Sequence, residues 1–147
     1  MTLFGKSLSN YLEFQKILLI LTVTFGLCRL ILSMAEVRTA IVTWFSMTAL
    51  LLVAMVYYPI RAHMKNFGGY RQVFILLTIQ VLCAQVITSA GILTALLTGV
   101  DNIFSVAGPS TNHGYHVAVH LLSWPVVSIF LWLPASLVLL ITRHFSK

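Results

Sequence analysis

Four continuous runs of apolar residues constrain this chain more than any other feature of its sequence. Short polar segments separate the runs, which cover residues 17–34, 40–58, 73–100 and 115–142. Each run is close to the roughly 20 residues that an α-helix needs to cross the hydrocarbon of a bilayer. Membrane-spanning strands would instead alternate apolar and polar residues. The sequence therefore predicts an all-α integral membrane four-helix bundle, a single transmembrane domain over residues 1–147.

The composition indicates that lipid, and not water, surrounds most of the chain. Hydrophobic residues make up 59% of the sequence and charged residues 8%, whereas a soluble domain carries about 25% charged residues. The net charge of +6 does not indicate a nucleic-acid partner, because the cations lie between the apolar runs and not on one helix face. Cations in such positions suit anionic lipid headgroups. We expect membrane lipid as a partner and no nucleic acid.

The distribution of the cations predicts the orientation of the helices. Arg38 is expected alone on one side of the membrane, whereas seven cations are expected on the other: Lys6, Lys16, Arg61, Lys65, Arg71, Arg143 and Lys147. Because loops rich in Lys and Arg stay in the cytoplasm, both termini are expected there. The expected location is the cytoplasmic (inner) membrane of a bacterium.

Residues 1–16 precede the first apolar run and are expected to form an interfacial lead-in on the membrane surface. Their apolar residues recur at helical spacing. Asn10 is followed three residues later by Glu13, which resembles the capping box found at helix N-termini. The sequence thus predicts that the first regular helix is capped near Asn10.

Small residues in the third run predict a close contact between helices. They lie three or four positions apart, so that they share one helix face; this small-residue stripe consists of Ala84, Thr88, Gly91, Ala95 and Gly99. Helices in lipid associate through such contacts and through interhelical hydrogen bonds. The stripe is expected either to pack the bundle of one chain or to join a second copy or a partner subunit.

Three polar residues lie inside the apolar runs, namely Arg29, Gln80 and Gln85. An unpaired amide in hydrocarbon costs several kcal/mol, so each glutamine should hydrogen-bond to a neighbouring helix. Arg29 is expected to extend outward and to pair with Glu36 or Asp101.

A cluster of ionisable residues is predicted at the outer end of the bundle. His113, His116 and His120 are spaced by three and four residues, which places the imidazoles on one face of a helix. Histidines one turn apart can chelate a divalent transition metal, and Asp101 or Glu36 could complete the coordination. The alternative is that these histidines only hydrogen-bond to loop carbonyls and headgroups.

Haem is a further possibility for the same histidines. Its axial ligands approach from opposite faces and hence normally from different helices, but the first three runs contain no histidine. A haem held by two histidines would therefore need a second copy or another subunit. No cofactor is predicted outright.

The sequence contains no motif that names a reaction. It has no Cys-x-x-Cys, no phosphate-binding glycine loop and no His-Glu-x-x-His, so no catalytic residue is assigned and an enzyme is not expected. The favoured function is a non-catalytic subunit or accessory component of a membrane complex or homo-oligomer. The alternatives are a metal- or haem-binding redox component and, third, a small transporter or channel, which would be expected to carry more intramembrane charge.

Overall fold

The computed structural model describes residues 2–106 and 113–146, with the backbone alone of His113. The elements follow the chain as β1 (Thr2–Leu3), β2 (Lys6–Ser7), α1 (Leu8–Met34), α2 (Thr39–Val42), α3 (Met47–Met64), α4 (Tyr70–Thr98), α5 (Ile103–Val106) and α6 (His113–Phe145). Lys147 lies outside the described residues.

Four segments of the described chain are long and apolar enough to cross a membrane: Leu8–Met34, Thr39–Met64, Tyr70–Thr98 and Gly114–Phe145. The predicted all-α four-helix bundle is confirmed, and its architecture is that of an integral membrane protein. Helices α3 and α4 each pack against the other three long helices, and α4 is the more buried of the two. In its most apolar stretch 39% of residues are buried, against 17–22% in the other three segments.

The N-terminus forms a small hairpin before α1 begins. Strands β1 and β2 pair in antiparallel register, and the two residues between them, Phe4 and Gly5, both have positive φ, as two-residue hairpin turns require. The Ser7 hydroxyl then accepts a hydrogen bond from the backbone amide of Asn10 at 3.2 Å. Helix α1 therefore starts at Leu8, and the predicted capping box of Asn10 and Glu13 is wrong, because Ser7 already caps the helix.

The second apolar segment is interrupted near its start. Helix α2 ends at Val42, and α3 begins at Met47 after the Ser46 hydroxyl caps it by accepting from the Ala49 amide at 3.2 Å. Trp44, in the interruption, is 84% exposed, a position typical of an amphipathic ring at the membrane interface. Consequently, the N-terminus of α3 lies inside the apolar segment and not at its edge.

A buried amide joins three helices in the middle of the bundle. Gln80 of α4 is fully buried. Its Oε1 accepts from the Tyr58 hydroxyl of α3 at 2.7 Å. Its Nε2 donates to the Thr22 hydroxyl of α1 at 2.5 Å and to the Leu18 carbonyl at 3.3 Å. The oxygen and the nitrogen of this side-chain amide thus both have partners on neighbouring helices. These bonds avoid the cost of an unpaired amide in apolar surroundings.

The small-residue stripe is divided among different environments. Ala84, Gly91 and Ala95 are buried, Thr88 is half-buried, and Gly99 is exposed. Gly91 faces the Phe104 ring of α5 so closely that an added methyl group would overlap it. Gly99 ends α4 with a φ of +70°, a conformation that glycine adopts without strain.

We predict that Gly91→Leu destabilises the protein whereas Ala90→Leu does not. The leucine at position 91 would displace Phe104 and cost about 1–3 kcal/mol, as overpacking does in other cores. Ala90 is exposed on the same helix, so a leucine there meets lipid and serves as the control. Unfolding in micelles, followed by circular dichroism, measures both variants. Equal stability of the two would show that Gly91 is not tightly packed.

We also predict that Gln80→Leu lowers the free energy of unfolding by roughly 2 kcal/mol, at about 0.6 kcal/mol for each interhelical hydrogen bond lost. Tyr58→Phe should lose part of this, and the double variant should be less destabilised than the sum, because both remove the same bond. The control is Tyr57→Phe, which removes a hydroxyl that binds Arg61 at the exposed surface. A Tyr57→Phe effect as large as that of Tyr58→Phe would contradict the prediction.

Candidate functional site

A polar cavity of about 240 Å³ lies between the helices at the end of the bundle where α5 packs. We call it the arginine–histidine cavity. Its lining comes from five helices and consists of Arg29, Met47, Thr48, Thr88, Ile103, Phe104, His116 and His120. A cavity with several polar side chains inside a membrane bundle is a candidate binding site.

Arg29 of α1 provides the charge in this cavity. The side chain is half-buried, and its guanidinium carbon lies 5.5 Å from the centre of the Phe104 ring, within the range of a cation–π interaction. Its Nε is buried and has no hydrogen-bond partner among the described residues. The cation is therefore supported by a ring on one side but not neutralised.

Asn102 positions α5 over the cavity. Its Nδ2 donates to the Gly91 carbonyl at 2.8 Å, and its Oδ1 accepts from the Phe104 amide at 2.9 Å. The Ile103 amide donates to the Ser33 hydroxyl at 2.8 Å, which ties α5 to α1 as well. With Asn102 almost fully buried, these bonds hold the Phe104 ring between Gly91 and Arg29.

A hydrogen-bonded chain between α4 and α6 orients His120. The Ser123 hydroxyl donates to the His120 carbonyl at 3.1 Å, so its oxygen is free to accept from Gln85 Nε2 at 3.3 Å. Gln85 Oε1 must then be the acceptor facing His120 Nδ1 at 2.7 Å. This assignment, made from the network, places a proton on His120 Nδ1.

The second nitrogen of His120 faces another histidine. His120 Nε2 lies 3.2 Å from His116 Nε2, so a proton of one ring is shared between these two atoms. His116 is 6% exposed, and its buried Nδ1 has no hydrogen-bond partner within residues 2–106 and 113–146. The cavity thus contains one imidazole that the protein orients fully and one whose second nitrogen is unused.

The two outer carboxylates do not join this site. Glu36 and Asp101 line a separate cavity of about 390 Å³, together with Ser33 and Asn102. The expected pairing of Arg29 with Glu36 or Asp101 is not what the structure contains, because Phe104 and α5 lie against the guanidinium instead. Among the residues that line the arginine–histidine cavity, none is acidic.

Of the five residues predicted to bind a metal, the structure brings together His116 and His120. The side chain of His113 lies outside the described residues. Within residues 2–106 and 113–146, no group of three or more His, Cys, Asp or Glu side chains could hold a metal ion.

Sequence reasoning did not place Arg29 beside the histidines, nor Gln85 as the partner of His120. It also missed the contributions of Thr48 and Phe104. Ser123 offered a local signal, since it follows His120 by three residues and so shares its helix face. The others required knowledge of which helices are neighbours.

Comparison with known proteins finds no matching family model, no matching curated protein and no matching solved structure. The fold and the cavity define the class of this protein: it is an α-helical membrane protein with a polar cavity that contains Arg29.

The network predicts that His120, when neutral, carries its proton on Nδ1. Nitrogen-15 NMR of histidine-labelled protein at pH 8 distinguishes the two tautomers. Gln85→Leu should abolish this preference at His120, whereas the signals of His63 and His144, outside the network, should not change. A His120 protonated only on Nε2 in the unsubstituted protein would contradict the assigned chain.

Proposed function

We propose that this protein is a small non-catalytic membrane component that binds a small anionic ligand in the arginine–histidine cavity. The observation that carries the proposal is Arg29, a cation within a membrane-spanning helix that faces a cavity with no carboxylate among its described lining residues. Charged side chains within the bilayer are costly and are usually paired or functional. An anionic ligand supplies the missing partner.

The N-terminus of α3 supports the same choice of ligand. Met47 and Thr48, the first two residues of α3, line the cavity, and the N-terminus of a helix carries a partial positive charge and free amide groups. Thr48 is exposed, so a ligand can reach the cavity beside this helix end. Arg29 and the helix end then offer hydrogen-bond donors from two directions.

Electrostatics favours an anion over a metal cation here. A sphere of 240 Å³ is about 8 Å across. Two charges at that distance interact through an effective dielectric constant of about 20 near a protein surface. Arg29 then attracts a monoanion by about 2 kcal/mol and repels a divalent cation by about 4 kcal/mol. A ligand closer to Arg29 than about 8 Å would be attracted more strongly.

The cavity volume limits the ligand to a small group. Because one water in the liquid occupies about 30 Å³, the space corresponds to roughly eight waters. It suits a small oxyanion or the carboxylate end of a longer molecule. The shared chemistry is a group with anionic oxygens, which comes either from the aqueous phase or from an amphiphile in the bilayer.

We predict that Arg29→Gln weakens anion binding by about 30-fold, the equivalent of about 2 kcal/mol. The protein, in nanodiscs of neutral lipid, is titrated with sulfate, formate and decanoate while the nitrogen-15 signals of His116 and His120 are recorded. Saturation by sulfate or formate indicates an aqueous ligand, and saturation by decanoate alone indicates an amphiphile. Arg38→Gln, which removes an exposed cation at the same end, is the control and should bind normally. Failure of all three anions to bind, or equal binding by Arg29→Gln, would overturn the proposal.

A metal at His116 and His120 is the second candidate, favoured by the 3.2 Å between their Nε2 atoms. Two nitrogens that each lie 2.0–2.1 Å from a tetrahedral zinc ion are about 3.3 Å apart. Gln85 would act as the outer hydrogen-bond partner that metal-binding histidines normally have. A haem would still need an axial ligand from a second chain, since both imidazoles come from α6.

The Arg29→Gln variant separates the two candidates, because removing this cation should weaken the binding of anions and strengthen that of Zn²⁺. Stoichiometric metal in the unsubstituted protein, lost in a His116→Ala, His120→Ala double variant, would replace the anion with a metal.

We further propose that the chain works as an accessory part of a larger membrane complex or homo-oligomer, with its termini in the bacterial cytoplasm. Support for the orientation comes from Lys6, Arg61, Arg71 and Arg143, which lie at the end of the bundle opposite α5. Because Gly91 is already covered by Phe104 of the same chain, an assembly contact would use a face other than the small-residue stripe.

A further inference from the structure

A groove of about 290 Å³ lies at the basic end of the bundle, away from the arginine–histidine cavity. Asn10, Glu13 and Phe14 of α1, Arg61 of α3 and Phe67 line it. Phe67 belongs to the connection between α3 and α4, which is part of the segment expected among the lipid headgroups.

Arg61 is held in place by two aromatic rings. Its guanidinium carbon lies 4.8 Å from the centre of the Phe14 ring and 5.5 Å from that of Tyr57, and its Nη1 donates to the Tyr57 hydroxyl at 2.7 Å. Tyr57 takes one N–H donor of the guanidinium, and a ring against its flat face leaves the other donors on the edge. A planar donor edge with a fixed position matches the oxygens of a phosphate group.

Neighbouring rings extend this support to a second cation. Phe14 and Phe67 stack with centres 4.1 Å apart, and Tyr11 packs edge-on against Phe67 at 5.5 Å. Lys6 places its ammonium 5.1 Å from the centre of Phe67. Two cations therefore lie against one group of stacked rings, and neither ring contact uses their capacity to bind an anion.

A second groove, of about 530 Å³, meets the first at Glu13. Leu8, Ser9, Leu12 and Lys16 complete its lining, and Leu8 and Leu12 are 45% and 42% exposed. Apolar side chains one helical turn apart beside a charged groove suit an amphiphile whose headgroup and chain lie side by side. Because the charged groove adjoins one with exposed apolar side chains, the pair of grooves suits a lipid better than a free phosphate.

We propose that these two grooves bind one anionic phospholipid, with its phosphate on Arg61 and an acyl chain against Leu8 and Leu12. Arg61 and Lys16 each line a groove that also contains Glu13, and Lys6 lies against Phe67. These three cations outnumber the one acid that lines the two grooves, so the site complements a negative headgroup. The Glu13 carboxylate can accept a hydrogen bond from a headgroup hydroxyl, which makes phosphatidylglycerol the probe of choice.

The test measures retention of phosphatidylglycerol, phosphatidylethanolamine and phosphatidylcholine of equal chain length by native mass spectrometry of the detergent-purified protein. Phosphatidylglycerol should bind at least about tenfold more tightly than the other two, and Arg61→Gln should remove about tenfold of that affinity. Arg61→Lys keeps the charge but not the planar edge, so its affinity for phosphatidylglycerol should lie between those of the unsubstituted protein and Arg61→Gln. Equal retention of the three lipids would overturn the proposal.

The control is Lys65→Gln, which removes an exposed cation from the same end of the bundle and should change the affinity by less than about twofold. A Lys65→Gln effect equal to that of Arg61→Gln would mean general attraction to a basic surface and would overturn the proposal. Displacement of phosphatidylglycerol by millimolar glycerol 3-phosphate would also overturn it, in favour of a soluble phosphate ester. Arg29→Gln should not alter lipid retention, so the two sites fail or succeed separately.

Discussion

The absence of water from the bilayer interior is the constraint on which this structure depends, and Gln80 is where the constraint acts most strongly. Thr22 and Tyr58 satisfy this amide from α1 and α3, and this fixes the rotation of both helices relative to α4. A different rotation would leave a buried amide without partners, which hydrocarbon penalises by several kcal/mol.

The helix rotations that Gln80 fixes also decide which residues of α1, α3 and α4 face the arginine–histidine cavity. Arg29 follows Thr22 by seven residues and Thr88 follows Gln80 by eight, so each lies about two turns along the same face. Met47 precedes Tyr58 by 11 residues, or three turns. The interactions that hold the bundle together thus also direct its polar residues into one cavity, where α6 adds the histidines.

Much of the fold and part of the site follow from local sequence patterns. The lengths of the apolar runs predicted the helices, and the spacing of His116 and His120 predicted their shared face. The start of α1 did not follow, because Ser7 and Asn10 are both good capping residues and the hairpin decided between them. Arg29 was expected to pair with Glu36 or Asp101, and the described residues contain neither pair, because Phe104 of α5 lies against the guanidinium.

The sequence by itself determined the helical class and the number of segments able to span a membrane, because hydrophobicity and the cost of unpaired backbone in lipid are local properties of each segment. Only the tertiary structure decided which polar residues meet. Arg29 and His116 are separated by four helices along the chain, and no periodicity within one helix encodes the identity of its neighbours. Their proximity arises from the packing of Gly91 against Phe104 and from the hydrogen bonds between helices, which exist only once the bundle has formed.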